Sequence, residues 1–230
     1  LTFVWLRERG SAATHQQTDL PSTGLSSSWQ RLRRTAAHAH HHRDFMWLLA
    51  CACAYQAGIA VVIALAAVYA EQAMGFGQAQ TMVLIFLVNI AAAIGAFGFG
   101  YGQDRIGHKT ALAVTLLGWL AMVLMAYAAQ GVELFWVAAV LAGLCMGSSQ
   151  SAGRAMAGLL APRDQAAEFF GLWAFSTRLA AIVGPITYGL VIWVTDGNHR
   201  LGILATGLFF VVGLLLLWPV RIKTAHAVPD

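Results

Sequence analysis

The stretch TMVLIFLVNIAAAIGAFGFGYGQDRIGHKTALAVTLLGWLAMVLMAYAA (81–129) contains two long apolar runs separated by one short charged segment. Each run, at about 81–102 and 111–129, approaches the roughly 20 apolar residues that an α-helix needs to cross a bilayer. The residues that join the runs, QDRIGHKT (103–110), are too few to hold a domain. This stretch therefore predicts two antiparallel transmembrane helices.

The same pattern of apolar runs and short polar connections continues along the chain. Six predicted transmembrane spans result, at about 45–70, 81–102, 111–129, 134–158, 169–194 and 201–220. Charged residues make up only 10% of the chain and hydrophobic residues 59%, whereas a soluble domain carries about 25% charge. The predicted fold class is an all-α polytopic membrane bundle of six transmembrane helices.

The positions of Lys and Arg predict how the bundle is oriented. Eleven of the 14 basic residues lie in residues 1–44, in the loops after the second and fourth spans, or in the C-terminal tail, and the remaining loops contain only Arg200. Because cytoplasmic loops carry the excess of basic residues, we expect both termini in the cytoplasm. The expected location is the plasma membrane, which in a bacterium is the inner membrane.

The segments outside the spans are predicted to be connectors. Residues 1–6 look like the end of a preceding span, residues 7–44 are polar and predict a flexible cytoplasmic loop, and residues 221–230 predict a cytoplasmic tail. A histidine tract at 38–42 has the composition of a metal-binding segment. A solvated basic linker is the favoured interpretation, so no metal site is predicted.

The charged segment between the second and third spans carries the sharpest motif. GYGQDRIGHKT (100–110) resembles the GxxxDRxGxK/R loop of the major facilitator superfamily. The matching residues, which form the predicted cytoplasmic gating motif, are Gly100, Asp104, Arg105, Gly107 and Lys109. Gly107 permits a sharp reversal of the backbone, and Gly100 and Gly102 are expected to allow close approach of a neighbouring helix.

The resemblance extends beyond this loop. Residues 61–76, 147–185 and 197–210 resemble the vacuole-effluxer-like permease branch of the superfamily. The six spans then correspond to spans seven to twelve of a twelve-span transporter, that is, to its C-terminal half. This resemblance implies efflux or uptake of small solutes, and amino acids have been proposed as the cargo of fungal relatives.

Two arginines lie inside predicted spans, where a charge is costly and marks a functional site by default. Arg154, on the fourth span, is predicted either to pair with Asp104 or Glu168 at the cytoplasmic gate or to contact substrate. Arg178 lies about ten residues into the fifth span, too deep to reach water easily, and the sequence offers no carboxylate at that depth. Arg178 is therefore expected to face a hydrated cavity or an anionic group, with a structural link to backbone carbonyls as the alternative.

Glutamines at similar depth complete the predicted substrate-binding set. Gln150 shares a helical face with Arg154, together with Gly143 and Gly147, because these residues recur at three- and four-residue steps. Gln56 lies on the first span, which the resemblance matches to a cavity-lining span, as it does the fourth. The predicted substrate-binding residues are Arg178, Gln56, Gln150 and Arg154. The predicted gating set is the motif above together with Glu168.

The function predicted from these features is secondary active transport by alternating access. The expected substrate is a small anionic or zwitterionic solute such as an amino acid, with coupling to protons or sodium. Expected partners are the lipid bilayer and an N-terminal six-span half or a second copy; no nucleic acid, cofactor or enzymatic activity is predicted, because no catalytic motif is present. The alternatives are a half-size permease that dimerises and a truncated fragment that does not transport.

Overall fold

Six helices account for nearly all of the described chain. The computed structural model describes residues 43–162 and 165–221, except for the side chains of Ala73 and Asp104. The helices are α1 (Arg43–Met74), α2 (Gln78–Ile106), α3 (His108–Ala128), α4 (Val132–Leu160), α5 (Ala166–Val194) and α6 (His199–Leu217). Each is long and apolar enough to cross a membrane, and the described ranges contain no strand. The predicted all-α membrane class is confirmed.

Several predicted features lie outside the described residues. These are the connector and its histidine tract up to residue 42, Arg163, and all but the first residue of the C-terminal tail. We call the end of the bundle where α1, α3 and α5 begin the inner end, and the opposite end the outer end. The basic residues predict that the inner end is cytoplasmic.

Tight turns join consecutive helices. Between α2 and α3 the backbone reverses at Gly107, whose φ is 85°, in a region that side chains disfavour. Between α5 and α6 the turn contains Gly197, with a φ of 88°, and the Asn198 side chain then accepts a hydrogen bond of 3.1 Å from the Leu201 amide. That bond caps the N-terminus of α6. The short turns keep neighbouring helices antiparallel.

The helices form two triplets with opposite directions. The triplets are α1–α3 and α4–α6. Helix α1 of the first triplet packs mainly against α5 and α6 of the second, and helix α4 of the second packs mainly against α2 and α3 of the first. This reciprocal arrangement is that of an inverted repeat, because three spans reverse the direction of the chain. The result is a front layer in the order α2, α4, α1, α5 and a back layer of α3 and α6.

Glycines on α4 and α5 set the closest helix contacts of the front layer. A Cβ atom at Gly147 would overlap the Ala92 carbonyl of α2, and one at Gly184 would overlap the Ala57 carbonyl of α1. Glycine at these positions lets the backbones approach within van der Waals distance. The predicted small-residue face of α4 is thus the face that receives α2.

The two helices at the edges of the front layer, α2 and α5, are covered least by the rest of the bundle. In the most apolar window of each only 17% of residues are buried, against 61% in α1. Large side chains on these helices are strongly exposed, including Phe97 of α2 at 83% and Trp193 of α5 at 78%. We use the name open face for the uncovered sides of α2 and α5 taken together.

Candidate functional site

Two of the predicted substrate-binding residues meet at the crossing of α1 and α4. Gln56 Nε2 donates to Gln150 Oε1 at 3.3 Å, and Gln150 Nε2 donates to Gln56 Oε1 at 3.1 Å. Gln56 is buried and Gln150 partly buried. Both lie about 15–20 Å from the inner ends of their helices at 1.5 Å per residue. The two amides therefore satisfy each other near the middle of the span.

Further polar groups surround this amide pair. The Tyr55 side chain, which is 0% exposed, places its hydroxyl where a Cβ of Gly153 would stand. Ser151, on the next face of α4, accepts a hydrogen bond of 3.3 Å from Gln103 of α2. A single turn of α4 therefore meets polar side chains from both α1 and α2.

Arg154 lies one helical turn further toward the inner end. Its side chain is exposed and close enough to the Tyr55 hydroxyl to act on it electrostatically. It forms no hydrogen bond or ion pair with a residue of the described ranges, and the side chain of Asp104, one of its predicted partners, is not described. Arg154 thus presents a cation beside the amide pair.

The outer half of the same region is an apolar cavity. It has a volume of about 300 Å³ and lies between α1, α2 and α4, with walls that include Val62, Leu84 and Ala142. Asn89 stands among the lining residues, and its side chain donates to the Ile85 carbonyl at 2.8 Å. Ligand sites of this size combine apolar walls with a few polar groups. On α4 the lining ends at Met146, one helical turn before Gln150, so the apolar cavity lies on the outer side of the amide pair.

Arg178 is not brought into contact with the amide pair. Ser176 and Ala180 are on the buried side of α5, which packs against α1. Arg178 is two residues from each of them, about 200° around the helix at 100° per residue, so it lies on the opposite side of α5. The Ser176 hydroxyl donates to the Leu49 carbonyl of α1 at 3.0 Å. Arg178 itself is exposed, on the open face. Its predicted role in substrate binding stays a prediction.

The predicted gating residues are divided between several positions. Gly107 forms the turn described above, Arg105 is exposed, and Glu168 is exposed in the first turn of α5. A Cβ at Gly100 would lie 4.0 Å from the Ser151 hydroxyl, so α2 approaches α4 there, whereas Gly102 faces open space within the described bundle. The close approach expected at Gly102 is therefore not made by α4 or by any other described helix.

Lys109 has a specific partner that the sequence did not indicate. Its Nζ donates to the Trp218 carbonyl at 2.8 Å and to the Val220 carbonyl at 2.7 Å. These carbonyls follow the last turn of α6, where backbone acceptors have no intrahelical donor. Asp44 at the start of α1 accepts a bond of 3.1 Å from the Arg221 amide beside them. This motif lysine thus ties α3 to the end of α6 in the back layer.

We expect Lys109→Met to lower the stability of the bundle by about 2 kcal/mol, because it removes two charge-assisted hydrogen bonds. The measurement is the melting temperature of the detergent-solubilised protein. Lys109→Arg is the matched control, since a guanidinium can donate to both carbonyls, and it should melt close to the wild type. Equal melting temperatures for the methionine variant and the wild type would contradict this role.

Two groups of the site are not in the predicted substrate-binding set. Tyr55 and Gln56 are neighbours on the first span and both are expected to form hydrogen bonds across helices, whereas Gln103 belongs by sequence to the charged loop. The available signal was spacing: Gln103 follows Gly100 by three residues, so both lie on the side of α2 that meets α4. The partner on α4, Ser151, could be identified only once the helices were packed.

Comparison with known families agrees with this architecture. Residues 1–227 match the family described as vacuole effluxer Atg22 like. The chain belongs to this family. The resemblance drawn from the charged loop and the three longer stretches is therefore confirmed.

One curated relative matches part of the chain. It is the uncharacterized MFS-type transporter YxiO of Bacillus subtilis (strain 168), which is 27% identical over 114 residues. The match covers 50% of this chain but only 26% of that relative. The relative and the family model both indicate the major facilitator type of transporter, while the relative extends well beyond the matched region.

Proposed function

We propose that the protein is a secondary active transporter of small solutes that works by alternating access. The observation that carries this proposal is the reciprocal amide pair of Gln56 and Gln150. Polar side chains at mid-span are costly in lipid and mark solute pathways. Here they join the first helices of the two inverted triplets, and transporter sites form at the interface of such repeats near the midplane.

The pathway needs a second six-helix body. The open face leaves Phe97 and Trp193 exposed, and Arg178 lies on it without an ion pair among the described residues. A cation at that depth is costly against acyl chains. A second body placed on the open face would enclose Arg178 together with Arg154 in one hydrated cavity. The occupant that we propose is an N-terminal six-helix half, and a second copy of the chain is the alternative.

The lining favours a solute with one apolar and one anionic end. The cavity of about 300 Å³ in the outer half is lined almost entirely by apolar side chains, whereas the amide pair and Arg154 lie on its inner side. An amide pair offers both donors and acceptors, and a guanidinium binds carboxylates. An amino acid with an apolar side chain fits this order, as an anionic or zwitterionic substrate. Coupling to protons or sodium, the plasma membrane location and the cytoplasmic termini belong to the same proposal.

The test is solute flux in proteoliposomes. The chain is reconstituted alone and with a co-expressed N-terminal six-helix half from a family member, and uptake of radiolabelled L-leucine and L-glutamate is measured. We expect uptake with the wild type and a loss of at least about tenfold with Gln56→Leu, which corresponds to about 1.4 kcal/mol.

The double variant Gln56→Leu/Gln150→Leu separates folding from function. A single replacement leaves one buried amide without a partner, which destabilises the bundle, whereas replacing both amides removes that penalty. The double variant should therefore recover thermal stability without recovering flux. Recovery of flux as well would show that the pair is only structural.

The same experiment distinguishes the alternatives. Flux by the chain alone, together with a native mass of two copies, would favour a dimeric half-size permease. Flux only with the co-expressed half would favour the twelve-helix arrangement. Absence of flux in every combination would favour a membrane fragment without transport activity.

A further inference from the structure

One buried hydroxyl beside the amide pair has no partner. The Tyr55 side chain is 0% exposed, and its hydroxyl makes no hydrogen bond of acceptable length and angle with a described residue. The Gln56 side chain is near enough to interact with it, but that amide is already bonded to Gln150. The other tyrosine hydroxyls buried in the spans are satisfied: Tyr69 donates to the Ala126 carbonyl at 2.9 Å, and Tyr188 lies 3.0 Å from His199 Nδ1. Tyr55 is thus the exception among the buried tyrosines of the described bundle.

An unpartnered hydroxyl is costly at this depth. In the interior of a membrane protein no bulk water is available, and an unsatisfied polar group costs several kcal/mol. Phenylalanine would fill the same space without that cost. The hydroxyl at this position therefore points to a partner that binds it in another conformation.

The packing shows when such a partner would reach the hydroxyl. Tyr55 and Gln56 are consecutive residues of α1, and both contact the same turn of α4, Tyr55 at Gly153 and Gln56 at Gln150. In this conformation the two amides bond to each other, so the Tyr55 hydroxyl has only a weak contact with the neighbouring Gln56. Any movement of α1 away from α4 breaks both contacts at once, so the hydroxyl is uncovered when the amide pair opens.

We propose that Tyr55 is a specificity-determining residue of the solute site, where its hydroxyl donates a hydrogen bond to the carboxylate of the solute once the Gln56–Gln150 pair has opened. This inference rests on the proposed function. Arg154 lies near enough to act on the same hydroxyl, so the carboxylate would sit between a neutral donor and a cation. The Tyr55 side chain then selects solutes that carry an acceptor at this end.

The test compares Tyr55→Phe with Tyr188→Phe, each of which removes one hydroxyl and keeps the ring. Uptake of L-leucine by the assembled transporter is measured over a range of concentrations, and melting temperatures are measured with and without saturating L-leucine. We expect Tyr55→Phe to raise the leucine KM about tenfold, to melt no lower than the wild type without leucine, and to lose most of the leucine-induced shift. Tyr188→Phe should melt lower, because it removes the hydrogen bond to His199 Nδ1, but should keep its KM, since Tyr188 does not line the cavity.

The outcomes separate this inference from the proposed function. Leucine uptake by the wild type with an unchanged KM in Tyr55→Phe would overturn the role of Tyr55 and leave transport standing. A wild type that neither takes up leucine nor melts at a higher temperature with it would overturn both. Leucinamide, which lacks the carboxylate, provides a further check: the hydroxyl should contribute less to its binding, so a KM for leucinamide that rises as much as that for leucine would also contradict the proposal.

Discussion

Gly147→Ala is expected to lower the stability of the solubilised protein by about 3 kcal/mol or more. This value is at the upper end of the range measured when extra atoms are inserted into a well-packed interior. A Cβ atom at this position would overlap the Ala92 carbonyl and lie 2.6 Å from the Ala96 amide nitrogen. Both are backbone atoms of α2, so no side chain can rotate away. The two helices must separate, and the measurement is the melting temperature together with the yield of folded protein.

Gly158→Ala is the matched control on the same helix. There a Cβ would make an ordinary contact of 3.6 Å with the end of the Phe170 ring. Both substitutions gain the same helix propensity, roughly 0.5–1 kcal/mol for alanine over glycine. The difference between them therefore isolates the contact with α2. Equal melting temperatures for the two variants would contradict the close packing of α2 on α4.

Arg178→Ala is expected to reduce flux of an anionic solute by about 10- to 100-fold, because a lost contact between buried charged groups costs 2 kcal/mol or more, and each 1.4 kcal/mol is tenfold. Membrane insertion should be unaffected, since Arg178 is exposed on the open face. Arg178→Lys would retain part of the flux if only the charge is needed and little of it if two parallel hydrogen bonds are needed.

Leu179→Ala serves as the control for this second prediction. Leu179 is the next residue of α5 and is 43% exposed on the same side, so its replacement tests the contact of the open face with a second body without removing a charge. Flux should fall much less than in Arg178→Ala. Normal flux in the Arg178→Ala variant would remove this residue from the solute pathway.

The helices could be predicted closely from the sequence, and the contacts between them only in part. The span predicted at 134–158 lies within α4, and the reversal predicted at Gly107 occurs with a φ of 85°. Helical spacing also placed Gln150 and Gly147 on neighbouring positions of one face. Spacing alone could not show that Gly147 contacts α2 while Gln150 contacts α1. One face of a helix can pack against two neighbouring helices, and the sequence does not say which residue meets which neighbour.

Lys109 shows the same limit at the gating motif. The pattern of the loop predicts that Lys109 lies near the cytoplasmic gate. Its amine donates hydrogen bonds to the carbonyls of Trp218 and Val220, which are more than one hundred positions further along the chain. No local pattern identifies such a partner. Its position depends on how the last helix of the second triplet packs against the last helix of the first.

The sequence by itself determined that residues 43–221 hold six segments long and apolar enough to cross a membrane, and which family the chain belongs to. Segment length, charge distribution and loop motifs are local properties of the chain, so they can be recognised without knowledge of the packing. Only the tertiary structure decided which polar groups meet: the amides of Gln56 and Gln150 bond to each other, and the hydroxyl of Tyr55 is left without a partner. Hydrogen bonds act over about 3 Å, so they depend on how two helices cross, and the pattern of residues along either helix does not contain that information.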